Sequence, residues 1–166
     1  MPWTRRWRGG TTSFVASAGA AAALAGLLFV AMSINVREIV ADASLPSRAA
    51  ETIVFAIAPL LTSLLVLMPD QSVRALGAEV LVVTGVAWAG PLVAQVRRWP
   101  LTAAQPLDRR VWSVVFAEVA SLSGVVGAVM LVAGNPDGFY ALAIGIVLSF
   151  TVAVLNGWVL LIEILR

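Results

Sequence analysis

The chain has 166 residues, of which 60% are hydrophobic, with a mean hydropathy of +0.95 and a net charge of +2. Soluble domains are roughly 45–50% apolar, so this is the composition of an integral membrane protein. Cysteine and histidine are absent and all 11 basic residues are arginine, which excludes disulfides, thiolate or imidazole metal sites, cysteine nucleophiles and lysine Schiff bases.

The first apolar run, Ser13 to Ile34, carries no charge and exceeds the roughly 20 residues needed to cross a hydrocarbon core of about 30 Å. It predicts a spanning helix over 13–35. RRWR precedes it, as in a signal peptide, but the run is longer than a signal core of about 7–15 residues and no convincing small-x-small cleavage site follows before NVREIV. After a polar connector containing LPSR, a second helix is expected over 52–68, ended by the turn signal Pro69-Asp70. The third, over 76–96, contains Gly90-Pro91, where the missing amide donor and the ring clash should kink it. RRWPLTAAQPLDRR then reads as an extramembrane loop. A fourth helix over 111–133 and a fifth over 139–165 are joined by the tight turn GNPDG. The expectation is an all-α fold, a transmembrane bundle of five spanning helices in one domain over 1–166. The runs are far too long for barrel strands of about 10 residues.

Five crossings put 35–51, the loop from Arg97 to Arg110 and the C-terminus on one side. That side holds Arg37, Arg48, Arg97, Arg98, Arg109, Arg110 and Arg166, against Arg5, Arg6, Arg8 and Arg74 on the other. The positive-inside rule therefore places the C-terminus in the cytoplasm of a bacterial inner (plasma) membrane, although the three arginines ahead of the first helix oppose that orientation. Helix-end anchoring accounts for these short clusters, so nucleic acid is not an expected partner. Trp3, Trp7, Trp99 and Trp112 fall where interfacial aromatic belts are expected.

The polar residues inside the apolar runs carry the functional information. Ser149, Asn156 and Glu163 recur every seven residues and so share one helical face, which is expected to turn toward the fourth helix and Glu118. Asn35, Glu38, Glu51, Glu118, Asn156 and Glu163 all fall in the half of the membrane nearer the arginine-rich side. Glu38, Glu51 and Glu163 lie close to predicted helix ends and are expected to pair with Arg37, Arg48 or Arg166 as interfacial anchors. Glu118 lies about 10 Å inside its run at roughly 1.5 Å per residue. A lone carboxylate is expensive there, so it must face protein or water. Asn156, Ser121 and an arginine of another helix are its candidate partners, and both a polar clamp and an ion or proton site fit it. Glu79 stands near the opposite face with Asp70 and Arg74, as a solvated helix-end group. Small residues spaced for close helix packing occur at Gly19 and Ala23, Ala22 and Gly26, Ala120 and Gly124, and Ser123 and Gly127.

The stretches AGAAAALAGLLFVAMSINVREI, LPSRAAETIV and LNGWVLLIEILR make the chain resemble a family of small five-helix membrane proteins common in high-GC Gram-positive bacteria. Some members are described as modulators of a membrane-bound AAA protease. No catalytic motif accompanies that description here, and the resemblance transfers no residue roles.

An enzyme is not expected, because Asp42, Asp70, Asp108 and Asp137 are scattered over separate connectors and no nucleophile or metal constellation occurs. No cofactor is expected either. The favoured reading is a small homo-oligomeric channel for cations or protons, self-associated through its Gly/Ala surfaces. Glu118, Ser149, Asn156 and Glu163 would line it, with Ser121, Asn35, Glu38 and Glu51 in the same polar half. The alternative is an accessory or regulatory subunit docked onto a larger membrane complex, with Arg97, Arg98, Arg109 and Arg110 touching that partner or anionic lipid.

Overall fold

A computed structural model describes residues 8–100, 103 and 106–163, with the backbone alone described for 8, 9, 109, 162 and 163. The described chain is entirely helical: α1 (Arg8–Ile34), α2 (Val36–Ala41), α3 (Leu45–Leu67), α4 (Val73–Arg98), α5 (Leu107–Val132) and α6 (Gly138–Glu163). All but the one-and-a-half-turn α2 are long and apolar enough to cross a membrane. This is a multi-pass membrane protein. Two boundaries differ from expectation in ways that matter. The connector after α1 folds partly into α2, and α3 starts at Leu45 instead of Thr52 because Pro46 lies in its first turn, where its fixed φ favours the helix and its missing amide costs nothing. That extension carries Glu51 from a helix flank into a helix.

Local chemistry explains the other ends. The Ser72 hydroxyl accepts the Ala75 amide at 3.2 Å and caps α4. Ahead of α3, the Asp42 carboxylate accepts the Ser44 hydroxyl and the Ser44 amide, each at 2.7 Å, and these two bonds hold its pKa below the ordinary carboxylate value. At the end of α5, the Gly134 amide donates to Leu131 O at 2.8 Å and the Asn135 amide to Met130 O at 2.9 Å. This paired pattern needs a left-handed residue, and Gly134 supplies it at φ +82°. The helix is thereby stopped and the chain is reversed into α6. Pro91 lies within an unbroken α4, as Pro59 does within α3.

Helices α3, α4, α5 and α6 close a ring in which each packs against the next and α6 returns to α3; α1 lies outside it, mainly along α3. Small residues occupy the crossings: Ala21, Ala56, Ala117, Ala120, Ala128 and Ala153 are all buried. Large apolar residues such as Phe29, Val86, Ile144 and Trp158 point outward. Lipid tails are as apolar as Leu, so no hydrophobic force drives helix against helix, and small side chains that let backbones approach are favoured at the contacts. The α5–α6 pair is the extreme case. A Cβ added at Gly127 would stand 2.8 Å from Gly138 O, and one at Gly145 would stand 2.9 Å from Gly124 N.

Candidate functional site

The ring lines a partly open cavity of about 30 Å³. Each of its four helices contributes one hydroxyl-bearing residue to its otherwise largely apolar lining: Thr62 from α3, Thr84 from α4, Ser121 from α5 and Ser149 from α6. Two of the hydroxyls have already spent their hydrogen within their own helix, Thr84 on Val80 O at 2.8 Å and Ser121 on Ala117 O at 2.9 Å. Each of those oxygens keeps lone pairs with which to accept. Thr62 and Ser149, 3% and 9% exposed, make no side-chain hydrogen bond among the described residues, so these hydroxyls are free to turn. Pro59 also lines the cavity, and its missing amide leaves the Phe55 carbonyl without its usual i+4 donor.

A second polar group lies toward the arginine-rich end of the ring. Glu51 of α3 is 2% exposed; it accepts a hydrogen bond from Gln95 Nε2 of α4 at 2.9 Å and pairs with Arg98 at 3.2 Å. The expectation that Glu51 anchors a helix end beside Arg48 is corrected: it is an interior residue whose described ion pair is to Arg98, on another helix. Arg98 likewise is no free lipid-facing cation but reaches inward. Asn156, on the inner face of α6, is 8% exposed and makes no side-chain hydrogen bond among the described residues. Ser149 and Asn156 thus face into the bundle, as their spacing predicts. Below the cavity, toward the other side of the membrane, Leu76, Val80, Leu131 and Leu142 form a buried apolar layer; above it, Phe55, Ala117, Val152 and Ala153 belong to another.

Glu118 is half-buried and accepts the Trp88 indole N–H at 2.8 Å. Its partner is therefore neither Asn156 nor Ser121 nor an arginine. It stands one turn from Ser121, at the α4–α5 contact, beside the cavity and outside its lining. Asn35 is half-buried and donates to Ala31 O at 2.9 Å, while Glu38 and Arg37 are exposed at the surface of α2. In the loop, Arg97 is exposed; Arg110 donates to Trp99 O and lies 4.1 Å from the centre of the Trp99 ring, a cation–π contact that ties the two ends of the loop together. At the far side, Glu79 accepts from Gln71 at 2.9 Å. Gly124 and Gly127 pack against neighbouring helices, whereas Gly19 and Gly26 have open space around them. The Glu163 and Arg109 side chains, and Trp3, Trp7, Arg5, Arg6 and Arg166, lie outside the described residues.

Gln95, Thr62, Thr84 and Trp88 escape the sequence reading, yet they carry a signal. Thr84, Trp88, Pro91 and Gln95 recur at spacings of four, three and four along α4, the period of one helical face. Among the described residues no cluster of three His, Cys, Asp or Glu can hold a metal ion. No family model matches this chain, and no curated protein and no solved structure is detectably similar to it.

Proposed function

We propose that this is a non-enzymatic membrane protein that passes a monovalent cation or a proton through the polar interior of a single helical ring. The observation that supports this most directly is the cavity to which four different helices each contribute a hydroxyl. Polar groups are costly in a membrane interior, and where they converge on a shared space they mark transport routes. Asn156 and the group formed by Glu51, Gln95 and Arg98 extend this polarity toward the arginine-rich side. A channel between copies is not needed for these residues, because Ser149 and Asn156 are inside one bundle. On this reading the arginine-rich side faces the cytoplasm of a bacterial inner membrane.

Purified protein in lipid vesicles is expected to pass ions or protons above the level of protein-free vesicles, and Asn156→Leu is expected to reduce that flux with the folded amount unchanged. Flux from Asn156→Leu equal to wild type would remove Asn156 from the route. A second reading, docking onto a larger membrane complex or a second copy, draws on the open outer face of α1, where Gly19 and Gly26 meet no neighbour. Photo-crosslinkers placed on that face would trap one stoichiometric partner if it holds.

A further inference from the structure

We infer that the cavity lined by the ring is a water site, in which two or three resident waters tie α3 to the other three ring helices. The hydrogen bonds argue first. Thr84 and Ser121 have committed their hydrogens to Val80 O and Ala117 O, so each offers lone pairs only to any further partner. Two more acceptors belong to lining residues. Pro59 and Pro91 carry no amide, so Phe55 O and Ala87 O lack the usual donor four residues on. Ordered water is one of the means by which carbonyls freed in this way are satisfied inside a membrane. Thr62 and Ser149 add hydroxyls that have hydrogens to give as well as lone pairs to fill. A small occupant that both donates and accepts answers this set, and water does both.

Size and charge argue second. A space of about 30 Å³ holds two or three waters at about 10–15 Å³ each, and the hydroxyls supply the polar partners that a buried water needs. Among the described residues no charged side chain lines the cavity. That weighs against any resident ion, hydronium and metal alike, since a buried charge needs compensation. The packing shows what the waters add. Helices α4, α5 and α6 are fastened by backbone approach, Gly77 of α4 lying against the Leu131–Val132 backbone of α5, and Gly145 of α6 against Gly124 of α5. The α3 segment contains no glycine. Its polar ties to the ring are Glu51, which meets α4, and, through water, Thr62 at the cavity.

The test identifies the occupant. Crystals of the full-length protein grown in Na⁺, Rb⁺ and choline salts, at a resolution that shows water, are expected to give two or three peaks within hydrogen-bond distance of Thr62, Thr84, Ser121 or Ser149. The peaks should be the same in all three salts and carry no Rb⁺ anomalous signal. A Rb⁺ signal, or a peak lost in choline, would overturn the water assignment in favour of a cation site, and an empty cavity or a lipid chain in it would overturn it outright. In detergent solution the unfolding constant should not depend on which cation is present, whereas a cation at a hundred times its Kd would lower it about a hundredfold. Thr62→Val keeps the shape and removes the hydroxyl; it should raise the unfolding constant about fivefold to tenfold, the worth of roughly one hydrogen bond. Equal or greater stability in Thr62→Val would overturn the site, because a dry cavity is one with an apolar lining. Flux enters none of these readouts, so the water site and the conduction reading fail separately.

Discussion

At Glu51 a single side chain joins two helices. Its carboxylate is buried in α3, and its charge is met by Arg98 and Gln95 of α4. Removing one member of a buried pair leaves the other charge without compensation, whereas replacing both with apolar residues removes the problem altogether. Arg98→Met is therefore expected to destabilise the fold by about 3–5 kcal/mol, and Glu51→Leu combined with Arg98→Met to recover most of that loss. Chemical unfolding in detergent micelles measures both, and a double variant as unstable as the single would show that the pair itself is not what matters. Asp42 is the contrasting case: exposed in a connector, its lowered pKa favours the folded state above the unfolded value of about 3.9, an advantage lost as pH falls through the lower folded value. The seven-residue spacing of Ser149 and Asn156 was enough to put them on one face, and their burial shows that this face turns inward. Nothing local to Glu51 indicated Arg98, which is 47 residues away, since the pairing exists only once α3 and α4 are side by side.

Among the helices, close approach separates the glycines into two kinds. Gly145 and Gly127 stand where a methyl group would strike neighbouring backbone, while Gly19 and Gly26 of α1 stand in the open. Gly145→Ala and Gly127→Ala are expected to cost about 1–3 kcal/mol by overpacking. Gly19→Ala and Gly26→Ala are expected to be neutral or slightly stabilising, because alanine is the better helix former. Thermal unfolding of the four variants in one detergent checks the contrast. A large loss from either α1 variant would mean that its outer face is covered by a second chain. Small-residue spacing marked Gly127, Gly19 and Gly26 alike in the sequence, while Gly145 was not singled out, and the side that meets a partner depends on α1 lying outside the ring.

For the whole molecule, orientation is the property on which the two sequence cues disagree. The absence of native cysteine makes it directly testable. With a single cysteine introduced by Asp137→Cys in the α5–α6 turn, a membrane-impermeant thiol reagent added to intact cells is expected to label the protein, and one introduced by Trp99→Cys is expected to stay unlabelled until the cells are opened. The reverse pattern would show that the arginines ahead of α1 set the topology.

The number of spanning helices and their order follow from the sequence alone, because lipid forces each backbone to satisfy its own hydrogen bonds and a run of some 20 apolar residues has one way to do so. The periodicity of 3.6 further determines which residues of each helix share a face. Which faces meet was decided only by the tertiary structure. With no hydrophobic force between helices in lipid, the arrangement rests on backbone approach at Gly and Ala and on a few polar contacts. Those join residues far apart in the chain, as Glu51 does with Arg98 and Glu118 with Trp88.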